Sequence, residues 1–436
     1  MNGPAAQTTA QPEWLSAQRD PVRDSALRRG LPCLDEILLL FPRPSGEPAF
    51  DAEVIASSVE RLQTAPRVDT GHPFLDLSVK TGLAFIDATF QGDHPKYGVK
   101  CYGQSCHDSF PPTIIAAVDA LSAWGLHERA ARLWRFWLMN FVREDGTIRY
   151  RGTSLSECGQ LLHTAAILAG RAGTREWADA LPAVERIAMR LLDMLASATA
   201  HEGLLHGVPE DDEKDKPAVY FHNNAWVAAG LRSWAGCCER GSIASRATPA
   251  AIRTVAERLA GKTLSAIRDV WPRDPEVWWL PPQVEAVPPG ARPRERITAT
   301  RLGSYTNYRY WPELLSSGIL PRDMANRLVE ARLEGGGQFC GVTRFEDWLD
   351  DWPLSDYLSG LWSLGRKDDF LLSLYGHVAY HQAEGHLTAY EQVTFPAGRE
   401  KAPYCLPCQL VAARAARWLQ GATEKKAGPR GEEMPC

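Results

Sequence analysis

The chain has 436 residues, 44% hydrophobic and 23% charged, with 15 Trp and 10 Cys, the make-up of a globular protein. Its 48 Lys+Arg stand against 53 Asp+Glu, a net charge of -5, so no cationic surplus exists for a phosphate backbone and nucleic acid is not an expected partner. No window of 18 or more apolar residues occurs and Met1–Trp14 has neither the basic start nor the apolar core of an export signal, so we expect no membrane partner, a cytoplasmic location and reduced thiols.

In chain order, residues 1–70 read as a Pro-rich, polar arm with a leading helix over 51–65, residues 71–420 as one folded unit, and 421–436 as a charged tail. Within the unit, apolar residues recur at helical spacing, as in Ile114, Val118 and Leu121, or Val184, Ile187, Leu191 and Met194. The pattern predicts helices over 74–90, 112–124, 128–142, 155–171, 176–200, 223–237, 248–271, 305–318, 322–335, 355–364, 367–384 and 407–420. Strand-like alternation is nearly absent, and Thr147–Tyr150, after Asp145-Gly146, reads as a turn or small hairpin.

Tight turns, such as Gly125–His127 and Gly365-Arg366, alternate with long loops over 91–111, 143–154, 201–222, 272–304, 336–354 and 385–406. Antiparallel neighbours place alternate connections at one end, so all six long loops belong on one face, where function should lie. The blocks that follow them, such as Thr113–Val118, Leu161–Gly170 and Asn224–Ala235, are apolar on every side and fit an inner ring. Twelve helices in two concentric rings make an all-α (α/α)6 toroid. The blocks share no period of the kind a solenoid requires.

The third long loop holds five carboxylates in six residues, Glu210 to Asp215. Like charges so crowded do not all ionise at neutral pH, so one member suits a general acid; the bland alternative is a solvated acidic loop. His222 and Asn223 follow in the run Tyr220–Trp226. In the sixth loop, Glu391 stands alone among aromatic and β-branched residues. It suits a carboxylate that deprotonates a water while a second carboxyl acts from the far side of the substrate, or else a structural Glu bonded to a helix N-terminus. Asp108, after His107 in Cys106–Pro112, is read as a contact for a substrate hydroxyl or as a helix cap. Tyr102–Phe110, Trp278-Trp279, Tyr305–Trp311, and Trp348 and Trp352 with Asp347 place rings and carboxylates in the loops. Sugar rings stack their apolar faces on such aromatics and hydrogen-bond such polar groups. Trp134 and Trp137 are assigned to the core.

With those residues in view, the stretch 74–420 resembles the six-hairpin (α/α)6 glycoside hydrolases, the clan of glucoamylases, trehalases and processing glucosidases. Tyr390-Glu391-Gln392 is similar to the Glu-Gln setting of the glucoamylase base, and Asp145-Gly146-Thr147 to the Asp-Gly turn after barrel helix three. The resemblance implies an acid from the loop between barrel helices five and six, where the acidic run falls, and a base from the loop between eleven and twelve, where Glu391 falls. It thus implies a glycoside hydrolase, inverting, with a sugar substrate. No Trp-Glu-Glu or Trp-Asp-Asn segment of the relatives occurs here, so the acid stays open among Glu210, Asp211 and Asp212, with Asp211 taken first.

Two rival functions use the same residues: a toroid polysaccharide lyase with Tyr220 or His222 as base and Asn223 or Asn224 facing a uronate carboxylate, and a non-catalytic glycan-binding toroid. Cys101 with Cys106, Glu157-Cys158 with Cys237-Cys238, and Cys405 with Cys408 loosely echo the zinc motifs of lanthionine cyclases and zinc β-L-arabinofuranosidases, but read as ordinary buried thiols. His377, His381 and His386 lack the Glu of a metalloprotease helix. No metal and no organic cofactor is expected.

Overall fold

The computed structural model describes residues 68–420 apart from 71–72, 97–104, 151, 200–202, 211–215, 241–244, 272–278, 285–296, 340, 347, 383–386 and 394–404. The arm, the leading helix over 51–65 and the tail lie outside these. The first hairpin pairs α1 (Pro73–Thr89) with α2 (Pro111–Ala123). There follow α3 (His127–Phe141), α4 (Leu155–Ala172), α5 (Leu181–Ser197), α6 (Phe221–Glu239) and α7 (Pro249–Val270). Then α8 runs in three pieces over Arg301–Tyr305, Thr306–Tyr310 and Trp311–Ser316. Helices α9 (Arg322–Glu334), α10 (Leu354–Leu364) and α11 (Lys367–Tyr380) precede α12, which is segmented over Leu406–Gln409, Val411–Ala415 and Ala416–Trp418. All twelve predicted barrel helices are present. No helix among the described residues is long and apolar enough to cross a membrane.

Burial separates the two rings. Helix α2 is buried from Pro111 through Ser122, whereas α3 buries only a stripe, Ala130, Ala131, Leu133, Trp134, Trp137 and Leu138, and α7 another at the same spacing, including Ile252, Ala256, Leu259 and Ile267. A helix covered on all sides belongs inside a helix wetted on one. Trp134 and Trp137 stack 6.3 Å apart in the core, as expected. The even-numbered helices each pack on the next even-numbered one, and α12 returns to α2. That last seam carries Trp124 Nε1–H donating to the Ala413 carbonyl at 2.6 Å and Asp119 paired with Arg414 and Arg417. Burial alone would raise the Asp119 carboxyl, but Arg417 and Arg414 hold it well below the usual range.

Inner helices α4 and α6 approach closest. A Cβ on Gly159 would stand 2.1 Å from the Trp226 carbonyl oxygen, and one on Gly230 2.3 Å from that of Gly159, so each backbone occupies the space the other's side chain would need. The Ser154 side chain accepts from the Glu157 N–H while the Glu157 carboxylate accepts from the Ser154 N–H, a capping box that fixes where α4 begins.

Three sequence expectations need correction. The block over 176–200 is divided, because a 3-10 turn over Arg175–Ala180 ends where Leu181-Pro182 restarts the ladder without a proline N–H. The block over 305–318 begins at Arg301 and contains a π turn, in which the Trp311 N–H bonds the Thr306 carbonyl; Pro312 offers no N–H to the Tyr308 carbonyl. Finally, β1 (Phe90–Gln91) and β2 (His94–Pro95) form a short antiparallel pair after α1, and loops five and six contain a four-stranded antiparallel sheet of β3 (Gln338–Phe339), β4 (Val342–Phe345), β5 (Trp348–Asp350) and β6 (Gln392–Val393). Strands of two to four residues carry too few positions for a period to show. Thr147–Tyr150 forms the expected turn, closed by a Val142↔Ile148 bridge, with Gly146 at φ 79°.

Candidate active site

The inner helices all begin at the long-loop face, and the loops are stitched there to one another. The first and second meet where His107 Nδ1 lies 3.2 Å from the Tyr150 hydroxyl. The third and fourth share Phe221 N–H to Pro282 O at 3.0 Å and Val284 N–H to Val219 O at 3.1 Å. The fifth and sixth join through β5 and β6, with Asp350 opposite Gln392.

At the centre of this face stands Arg309, held by the π turn and 1% exposed. Its Nη1 pairs with Glu210 Oε2 at 3.1 Å and its Nε with Glu313 Oε1 at 2.6 Å, while the guanidinium lies 4.0 Å over the Trp352 ring. Although burial would lower it, Glu313 and Glu210 keep the guanidinium above its usual range. Burial pushes the Glu313 carboxyl up to about 7 against the pull of Arg309. One buried cation is therefore shared by two carboxylates, one of them from the acidic run.

Glu391, in loop six, stands on a segment fixed at several points. Ala389 N–H donates to Gln409 Oε1 at 2.7 Å, Tyr390 N–H to the His381 carbonyl at 2.8 Å, and Gln392 Nε2 to Asp350 Oδ2 at 2.7 Å. Glu391 itself is 7% exposed. Burial, reinforced by the charges of Asp350 and Glu391, raises the Tyr308 phenol well above its usual range and keeps it a donor. Tyr308 precedes Arg309 in the same π turn, where Arg309 holds the loop-three carboxylate Glu210.

Aromatic rings line the ground between them. Phe110 lies 5.1 Å from Tyr150 and 5.7 Å from Trp352, Tyr308 4.9 Å from Phe345, and Tyr305 5.0 Å from Phe345 and 6.2 Å from Tyr310. A cavity of about 260 Å3 opens beside Tyr220, Tyr305 and Tyr310. Beneath, all six inner helices line an axial cavity of about 80 Å3 with Asp119, Gln160, His163, Trp226, Asp356 and Arg414 among its walls. A surface depression of about 950 Å3 along α5, beside Arg186 and Arg190, touches none of these residues.

Of the residues singled out in the sequence, Glu210, Glu391, His107, Asp108, His222 and Tyr305 are gathered on this face. Asp211, Asp212, Tyr102 and Asp347 lie outside the described residues. Asp108 is buried and paired with Lys96 at 2.8 Å; the residue capping α2 is Phe110, so Asp108 is not the helix cap. His222 stacks on Tyr310 at 4.6 Å with neither ring nitrogen hydrogen-bonded, and burial, assisted by the charge of Arg309, holds it well below its usual range and neutral. Both ends of the Asn223 amide bind backbone, accepting from Ser156 N–H at 3.1 Å and donating to Val208 O at 3.0 Å. Trp348 is half-buried on β5, opposite Phe345, and Trp352 takes the central place.

Arg309, Glu313, Tyr308 and Asp350 were not read as site residues. The signal available was a charged pair at helical spacing inside an aromatic run, Tyr308-Arg309-Tyr310-Trp311-Pro312-Glu313. The pairing of Glu157-Cys158 with Cys237-Cys238 comes apart, since Cys158 starts α4 while Cys237 ends the parallel α6, and burial pushes the Cys158 thiol up to about 12; Cys405 and Cys408 are buried together, and Cys101 lies outside the described residues. Among the described residues no cysteine belongs to a group of three metal-type donors.

This architecture matches a solved glycosidase over 81% of this chain and 99% of that one, with a TM-score of 0.55 at 13% identity. The chain has that glycosidase's (α/α)6 fold. A glutamate-to-alanine variant of a glycosidase in complex with glucose matches over the same shares, with a TM-score of 0.55 and 14% identity. An uncharacterized conserved protein from Thermus thermophilus matches over 78% of this chain and 99% of that one, with a TM-score of 0.51 and 11% identity. No family model matches the chain, and no curated protein matches it. At these identities the likeness is one of fold.

Proposed function

We propose that the protein hydrolyses a glycosidic bond by inversion, with Glu391 activating the water and Asp211 protonating the leaving oxygen. The observation that carries this reading is that loops three and six each bring a carboxylate, Glu210 and Glu391, to the long-loop face, where Glu210 pairs with Arg309 among aromatic rings that include Tyr308 and Trp352. Glu210 is the weakest of the three candidate acids, since its carboxylate is already engaged by the Arg309 guanidinium at 3.1 Å. Its ion pair instead fixes Glu210 to Arg309, whose guanidinium lies over Trp352. Tyr308, a protonated donor beside Glu391, suits a sugar hydroxyl or the attacking water. A glucose-bound structure among the fold relatives supports a sugar as the substrate. The lyase alternative loses support because the Asn223 and Asn224 amides are committed to backbone groups, leaving neither for a uronate.

The test is turnover on a panel of aryl glycosides and disaccharides, with the first-formed anomer read by NMR. Glu391→Gln and Asp211→Asn should each lower kcat by about 10²- to 10⁴-fold while sugar affinity stays within a few-fold of the wild type. The wild type should release the anomer opposite to the substrate's. Unchanged turnover in Glu391→Gln, or an unsaturated product, rejects the proposal.

A further inference from the structure

At the base of loops five and six, three fully buried side chains from separate parts of the chain converge. Asp351 follows β5, while His377 and His381 stand one turn apart on α11 and at its end, rings stacked 5.5 Å apart. Asp351 Oδ1 accepts from the Thr343 N–H at 2.9 Å. Its Oδ2 lies 3.2 Å from His377 Nδ1 and 3.5 Å from His381 Nε2.

The tautomer of His381 follows from its other nitrogen. Nδ1 is 2.7 Å from the Tyr390 carbonyl oxygen, which only accepts, so Nδ1 carries the hydrogen and Nε2 of the neutral ring is a lone pair. That lone pair has no hydrogen-bond donor and faces a carboxylate oxygen. Two acceptors thus point at one spot, an arrangement that calls for a positive centre between them. In a tetrahedral zinc site with bonds of about 2.0 Å, neighbouring donor atoms stand about 3.3 Å apart, and the two observed separations bracket that edge. The outer contacts are those that orient metal ligands: an imidazole N–H on a backbone carbonyl and the second carboxylate oxygen on a backbone N–H. The nearby buried cation, Arg332, is turned to Asn307 and Thr343.

We propose that Asp351, His377 and His381 bind a zinc ion that ties loop five to the root of loop six. Two imidazoles and one carboxylate form a donor set suited to this metal. His381 also holds the carbonyl of Tyr390, so the ion positions the residue next to Glu391 without joining the chemistry. The site stands on its own geometry, whatever reaction the face performs.

The full-length chain, produced with zinc in the medium and desalted, is assayed by elemental analysis and by zinc-edge X-ray absorption. About one zinc per chain is expected, with a nitrogen and oxygen shell near about 2.0 Å that shows imidazole scattering. His381→Ala and Asp351→Asn should each lose about tenfold in metal content, in keeping with the loss of one ligand. Metal below about a tenth of an equivalent in the wild type, unchanged content in both variants, another metal at full stoichiometry, or a sulfur shell near about 2.3 Å overturns the assignment. Should the variants fail to fold, the wild-type spectrum alone decides.

Discussion

Helices α4 and α6, and their ring neighbour α8 with the two loops that cover it, solve the same packing problem in opposite ways. The first pair uses glycines to bring backbones together, a capping box to fix a helix start, and an asparagine whose amide is consumed by backbone groups. The second side interrupts its helix with a π turn and fills the space with Arg309, two carboxylates and a fan of aromatic rings. One side stores stability in regular contacts. The other keeps buried charges in irregular backbone, where π turns commonly mark function.

If that contrast holds, substitutions on the two sides should separate stability from turnover. Arg309→Met should have the largest effect, because it strands two buried carboxylates: a loss of about 3–5 kcal/mol in urea unfolding, with turnover per folded molecule also reduced. Gly159→Ala should cost about 1–3 kcal/mol through overpacking, yet leave turnover per folded molecule as in the wild type; a selective loss of turnover would show that the quiet side takes part in chemistry. His222→Phe tests the boundary. The folded imidazole titrates below its unfolded value, so the wild type should lose stability as pH falls below about 6.5, at up to about 1.4 kcal/mol per pH unit from this group. Phenylalanine keeps the stack on Tyr310 and should remove that part of the slope in pH-dependent unfolding. Smallest is Ser154→Ala, expected to cost about 1 kcal/mol in thermal or urea unfolding with kinetics unchanged.

The regular side was the legible one. Runs such as Asn224–Ala235 are apolar all round, and alternating loop lengths order the helices into rings before any contact is known. Glu391 and Glu210 were legible too, as carboxylates in long loops assigned to one face. The Arg309–Glu313 pair was not, because a charged pair four residues apart looks like the outside of any helix until the ring closes over it. The sheet that joins loops five and six eluded the reading because its strands are very short and β5 and β6 lie about forty residues apart. Asp351 meets His377 and His381 only through that sheet.

The seam between α12 and α2 bears on synthesis. Asp119, made early, finds Arg414 and Arg417 only among the final residues of the barrel. A growing polypeptide cannot close this seam until Arg414 and Arg417 have been made. Contacts so distant along the chain form slowly, so closure of this seam comes late in folding.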